Sequence, residues 1–145
     1  MKTLQIKQLS PNATLPTRTH STDAGLDIYA SEEILVTHLH AVIIPTGIAI
    51  NIPEGYEGTI RPRSGKSVKT NLRVVLGTID CGFNGEIGVI ADALDRSSYL
   101  VQRGEKIAQL VIQKVELPQL EIVDQFDTVS ERGEKGFGSS DEVHP

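Results

Sequence analysis

The chain has 145 residues, a formal net charge of −5, and ordinary proportions of hydrophobic (39%) and charged (23%) residues. That length fits one domain with a single sizeable core, and the acidic balance argues against broad, charge-driven binding to a nucleic-acid backbone. A lone cysteine, Cys81, excludes an internal disulfide framework. Without a signal-peptide pattern in Met1–Ser10 or any apolar run of transmembrane length, a soluble cytoplasmic protein with no membrane partner is expected.

The apolar pattern is short and two-periodic from the start. In chain order it predicts strands at Leu4–Leu9, Ile34–Val36, Ala41–Ile44, Gly47–Ile52, Tyr56–Arg61, Val74–Leu76, Glu86–Ala91, Ser98–Val101, Ile107–Val115 and Leu120–Val123. Pro53–Gly55 and Cys81–Gly85 carry turn residues between strands. One short helix is expected near Ser67–Leu72, and no segment holds a helical period for three turns. An all-β sandwich or barrel follows. The composition shifts after Val123: Asp124–Pro145 holds six acidic residues and three glycines, too little apolar surface to order itself alone. The chain therefore divides into a domain at 1–123 and a C-terminal arm at 124–145. Phe137, set among the glycines of that arm, is a residue that a plain disordered tail does not need.

Charge is unevenly placed. Gly58–Ile79 contains no Asp or Glu, yet holds Arg61, Arg63, Lys66, Lys69 and Arg73. Such a segment is either a local anion site or a solvated basic loop. Within it, Arg63-Ser64-Gly65 offers a guanidinium, a hydroxyl and a backbone that can approach phosphate oxygens closely, although such tripeptides also occur in ordinary turns. Further on, Gly77-Thr78-Ile79-Asp80 ends a strand on a carboxylate, followed by Phe83 in a Gly-rich turn. Asp80 could orient and deprotonate a water, or it could simply start a hairpin turn. Arg132–Ser140 reads as a Gly-rich anion cradle with an aromatic lid, and it lacks the context of a Walker A loop. His38 and His40 share one strand face with no third metal ligand evident. Cys81 has no histidine nearby in sequence to activate it as a nucleophile.

Five segments together carry a resemblance. Ala24–Ala30, Pro62–Gly65, Gly77–Glu86, Gly104–Leu110 and Arg132–Ser140 are similar, in order and spacing, to the five motifs of the trimeric dUTPase family, across nearly the whole chain. The resemblance implies a distorted β jelly roll and a homotrimer with three sites, each assembled from segments of all three subunits. It implies hydrolysis of dUTP to dUMP and pyrophosphate, which limits uracil in DNA and supplies dUMP for dTTP synthesis. Asp80 would activate water for attack on the α-phosphorus. Gly77, Thr78 and Ile79 would hold uracil through backbone groups, and Phe83 would pack under the deoxyribose and exclude a ribose 2′-hydroxyl. Ser64, Gly65 and Gln109 would contact the phosphates, with Arg63 beside them. From a third chain, Arg132 and Ser139 would reach the γ-phosphate while Phe137 stacks on uracil, with Gly138 between them also binding substrate. Asp27 would support the site, and Mg²⁺ would be held by the phosphates and water, without a protein ligand.

Four positions depart from the family pattern. Phe83 stands where Tyr is usual, Asn84 where Arg or Gln is commoner, Lys66-Ser67 where an apolar-small pair is typical, and Asp141 where the arm often has Gly. A dCTP deaminase shares several of these motifs, but the aromatic turn at Phe83 and the arm with Phe137 favour a dUTPase. A dUTPase-like regulatory module that uses nucleotide only as a switch is the alternative from another class.

Overall fold

The structure is a computed structural model that describes residues 3–138, 140, 141 and 143. Among them are ten strands and one short helix: β1 (Gln5–Gln8), β2 (Gly25–Tyr29), β3 (Ile34–Thr37), β4 (Val42–Asn51), β5 (Tyr56–Arg61), α1 (Ser64–Lys69), β6 (Leu72–Val74), β7 (Gly77–Ile79), β8 (Glu86–Ala93), β9 (Ser98–Val101) and β10 (Lys106–Lys114). One four-stranded sheet runs β1-β4-β8-β6, a second runs β2-β10-β5-β7, and β3 pairs with β9. All pairings are antiparallel. The fold is the expected distorted jelly roll. No helix among the described residues is long and apolar enough to cross a membrane.

Alternation builds the core. Along β8, Ile87, Val89, Ala91 and Ala93 are buried while the residues between them are not. They join Ile44, Ile48, Ile50, Leu72 and Val74 of the first sheet, and Ile28, Ile60, Ile79, Ile107 and Leu110 of the second, in one buried core. Each fully buried isoleucine or leucine contributes about 1.5–3 kcal/mol relative to exposure. The sheets also exchange the chain. β6 lies in the first and β7 in the second, so Val75 and Leu76, expected inside one strand, form the crossing between them.

Three other expectations shift. Ala41–Ile44 and Gly47–Ile52 are a single strand, β4, whose pairing with β8 slips between Pro45 and Ala49. Pro45 has no N–H to donate to the ladder, and the irregularity is held by Thr46 Oγ1 donating to Ile87 O and Gly47 N donating to Glu86 Oε1. The helix runs Ser64–Lys69, earlier than expected at both ends: it stops where Thr70 turns extended and returns its N–H and hydroxyl to Lys66 O, which leaves Leu72 to be buried in β6. Leu120–Val123 is not a strand: Leu120 and Ile122 are almost wholly exposed and have no ladder partner among the described residues. The motif at Gly25–Tyr29, not expected as a strand, is β2 and pairs with β10.

Candidate active site

The first half of the site grows from the middle of the second sheet. Register places Asp27 of β2 and Arg61 of β5 on either side of Gln109 of β10. Asp27 is buried at 9% exposure. Its Oδ1 lies 2.9 Å from Arg63 Nε and its Oδ2 2.9 Å from Lys106 Nζ, with Thr19 Oγ1 donating to Oδ2 at 3.3 Å. Burial pushes the carboxyl up, but the hydrogen bond from Lys106 and the charges of Arg63 and Lys106 more than offset it, so Asp27 titrates below its ordinary value. Gln109 Nε2 donates to Pro62 O at 3.0 Å. The Gln109 side chain lies close over Gly25, where a Cβ would meet Oε1 at 2.2 Å and force the amide to move. Thr19, Asp23, Gly25, Asp27, Arg63 and Gln109 line a polar pocket of ≈ 300 Å³. Ser64 and Gly65 follow Arg63 directly, exposed at the start of α1, with open space above Gly65.

The second half is the turn that carries the chain from β7 of the second sheet to β8 of the first. Gly77, Thr78 and Ile79 pair with Ile60, Thr59 and Gly58 of β5, and β7 has no further neighbour in its sheet. The chain then turns through Asp80–Gly85, with Phe83 N donating to Asp80 O at 3.2 Å. The Phe83 ring rests over Gly85, where a Cβ would meet its Cζ at 2.8 Å; the absent side chain makes room for the ring. Thr78, Ile79, Asp80 and Phe83 line one wall of a cleft of ≈ 380 Å³, and Ile43, Pro45, Glu86, Ile87, Gly88 and Ile90 complete it. Two carboxylates border that cleft, and they differ in use. Glu86 accepts the Gly47 N–H at 2.8 Å and so belongs to the β4 irregularity. Asp80 is exposed and makes no ion pair among the described residues.

The two halves do not meet within one chain. Ile79 faces Gly58 at the start of β5, whereas Gln109 faces Arg61 at its end, on the opposite flank. Three residue steps along the strand and two strand spacings across it separate them by roughly 14 Å.

Among the described residues, the hydrogen bonds of the arm stay within the arm. Arg132 Nε donates to Lys135 O at 2.9 Å and its Nη2 to Gly136 O at 3.3 Å, folding the guanidinium back on its own loop. Phe137 is fully exposed, and Gly138 adopts φ +79. Ser139 lies outside the described residues. Cys81 is an exposed free thiol. His38 Nδ1 lies 3.3 Å from Ser97 O, and no group of three or more His, Cys, Asp or Glu able to hold a metal occurs among the described residues.

Sequence reasoning does not single out Lys106, the second cation on Asp27, although it sits within the Gly104–Leu110 motif. Nor does it find Ile43 and Pro45, which reach the cleft through strand pairing and carry no local signal.

A family model described as dUTPase matches residues 11–141. The deoxyuridine 5′-triphosphate nucleotidohydrolase of Mycolicibacterium gilvum is 41% identical over 144 residues, covering 94% of each chain. That of Mycobacterium tuberculosis strain H37Rv is also 41% identical, over 145 residues, 95% of this chain and 94% of its own. Among solved structures, a Staphylococcus bacteriophage 80alpha dUTPase variant with dUpNHpp superposes with a TM-score of 0.90 at 40% identity, over 97% of this chain and 99% of that one. A dUTPase variant from phage phi11 of S. aureus, whose structure shows coordination of a structural Mg(II) ion, gives a TM-score of 0.81 at 34% identity over 88% and 100%. With the motif geometry in place, and with relatives matched over nearly their whole length, this chain belongs to the dUTPase family.

Proposed function

We propose that the protein hydrolyses dUTP to dUMP and pyrophosphate as a homotrimer. The observation that carries the reading is Asp80, an uncommitted carboxylate beside Phe83 and the unpaired edge of β7, in a member of the dUTPase family. An edge strand presents N–H and C=O groups that a neighbouring strand would otherwise take. Uracil, with alternating acceptor and donor positions, suits such a row, and cytosine would leave polar groups mismatched. The face of Phe83 is suited to lie under deoxyribose and leaves no room for a 2′-hydroxyl.

Asp80 accepts a proton from a water. The resulting hydroxide attacks the α-phosphorus, the bond from that phosphorus to the α–β bridging oxygen breaks, and pyrophosphate departs with the electron pair. Ser64, Gly65 and Gln109, with Arg63 beside them, hold the phosphates in line, which is where positioning and charge stabilisation act in such a reaction. Asp27 keeps Arg63 in place and does not take part in the proton transfer. Mg²⁺ fits this arrangement as an ion borne by the substrate, since triphosphate oxygens and water are the hard donors it prefers. Bound there, it neutralises phosphate charge.

The separation of the two halves in one chain supports a site shared between subunits. One copy supplies the Asp80–Phe83 turn and a second the Arg63–Ser64–Gly65 segment with Gln109. The arm at 124–145 of a third copy brings Arg132 and Ser139 to the γ-phosphate, with Gly138 shaping the loop and Phe137 stacking on the base. Production of dUMP for dTTP synthesis and exclusion of uracil from DNA follow from that activity. Pyrophosphate release from dUTP, with dTTP, dCTP and UTP as controls and light scattering for mass, tests the reading. Turnover confined to dUTP by a trimer is expected. Ammonia release from dCTP, or activity in a monomer, would overturn it.

A further inference from the structure

Ser64 and Gly65 stand on a six-residue helix that buries none of its own side chains. Such a helix is too short to be stable alone, so long-range contacts must hold it. Lys66 supplies one. Its Nζ lies 2.6 Å from Glu105 Oε1 and 3.4 Å from Tyr99 Oη, and 5.7 Å from the centre of the Tyr99 ring. The side chains of Lys66 and Glu105 are only 17% and 18% exposed. Glu105 is fixed in turn: Oε2 accepts the Gln102 N–H at 2.9 Å, the Tyr99 hydroxyl donates to Oε1, and its backbone carbonyl accepts from Ala30 N at 3.0 Å. Burial opposes the Lys66 charge, and Glu105 and Tyr99 more than offset it, holding the ammonium above its ordinary value.

Glu105 directly precedes β10, the strand that carries Lys106 to Asp27 and Gln109 to Pro62. Lys66 thus ties α1 to the root of the strand bearing the other proposed phosphate contact. The position is also one where this sequence departs from the family pattern.

We propose that Lys66 is a positioning residue which, through Glu105 and Tyr99, fixes Ser64 and Gly65 relative to Gln109 so that both grip one triphosphate. The inference rests on the reading of these three residues as phosphate contacts. Lys66 does not touch the nucleotide; it sets the distance between two elements that do. Because a displacement of an ångström in a binding segment is felt strongly at the reacting centre, loss of the tie is read in nucleotide affinity before it is read in folding.

The test uses the full-length assembly and four proteins: wild type, Lys66→Met, Lys66→Arg and Glu105→Gln. Lys66→Met is expected to raise KM for dUTP about tenfold with kcat reduced much less, since the Asp80 chemistry is untouched. Affinity for dUpNHpp should fall by a similar factor, while affinity for dUMP, which lacks the β- and γ-phosphates, stays within about twofold. Lys66→Arg keeps the charge and the reach and should recover most of the loss. Glu105→Gln should reproduce the selective loss, and it reads the same tie if Lys66→Met does not fold. An unmoved KM in both Lys66→Met and Glu105→Gln, equal losses for dUMP and dUpNHpp, or an arginine variant as impaired as the methionine one, overturns the positioning role while wild-type turnover stands. A wild-type protein that does not turn over dUTP overturns both this inference and the reading beneath it.

Discussion

Asp27 and Asp80 are two carboxylates in or beside the same sheet, and their surroundings are opposite. Asp27 is buried, with each oxygen committed to a cation and a hydroxyl added to one of them. Asp80 is exposed at the rim of an apolar cleft and is bound to no cation among the described residues. The difference separates two jobs that one residue type can do. A carboxylate clamped between Arg63 and Lys106 is held ionised to lower pH than an ordinary one, and acts as a fixed charge that orients its partners. A carboxylate left unpaired beside a cleft is the one to which the proposed mechanism assigns the proton transfer.

The comparison breaks most readily at Asp80. Asp80→Asn is expected to keep assembly and dUTP binding and to lower kcat by about 10²–10⁴-fold, the usual worth of a general base. Retention of more than a tenth of wild-type kcat would remove Asp80 from that role.

Next in size is the arm. Deleting Glu131–Pro145 should leave the folded assembly intact and lower kcat by about 10²-fold or more, because the site loses groups that close over the substrate and exclude water. Hydrogen exchange across 128–145, with and without dUpNHpp, reports the closure directly. Equal, rapid exchange in both states, or a fully active truncated protein, contradicts it.

The cleft beside Asp80 is probed by Phe83. Phe83→Ala should lower the ratio of kcat/KM for dUTP over UTP by about tenfold, since an opened pocket admits the 2′-hydroxyl. Phe83→Tyr should leave the ratio nearly unchanged, because the face of the ring does the excluding. Unaltered discrimination in the alanine variant rules out the steric gate.

The smallest effect sharpens the Asp27 side. Its folded pKa lies below the ordinary 3.8, so the stability it contributes is fully present above that value. That contribution is lost as pH falls through the lower, folded value. Thermal unfolding of Asp27→Asn should accordingly lie a few degrees below wild type at neutral pH, and the gap should narrow as the pH is taken well below 3.8. A gap of the same width in acid would mean that the loss is one of packing and not of charge.

Much of the fold is legible in the amino-acid sequence. Two-residue alternation announces the all-β architecture most clearly at β8, which buries every second residue, whereas β5 and β10 bury neighbouring residues in runs. Breaks in that alternation mislead. Pro45 and Gly47 read as a gap between two strands, whereas β4 absorbs them through contacts with Ile87 and Glu86, residues some forty positions away. The apolar residues Leu120, Ile122 and Val123 look like a strand, yet within one chain they have no ladder partner among the described residues. The motif residues stand out because hairpin turns and Gly-rich loops leave local signatures. The Lys66–Glu105–Tyr99 tie leaves none, since its partners are brought together only by the β9–β10 turn. Nor does local sequence reveal that Asp80 and Arg63, separated by only seventeen positions, lie towards different ends of β5. That follows from register.

The short edge strand β7 has a further consequence for how the enzyme tolerates mutation. If uracil is read by the main chain of Gly77–Ile79, the reading surface is common to nearly every amino acid, and side-chain replacement barely alters it. That tolerance covers recognition by the main chain, not packing, since Thr78 also lines the cleft and Ile79 is buried in the core. Proline is the exception, because it deletes the N–H that an incoming base would meet. Selectivity written in the backbone is thus buffered against most point changes, while the single carboxylate two residues on has no such protection.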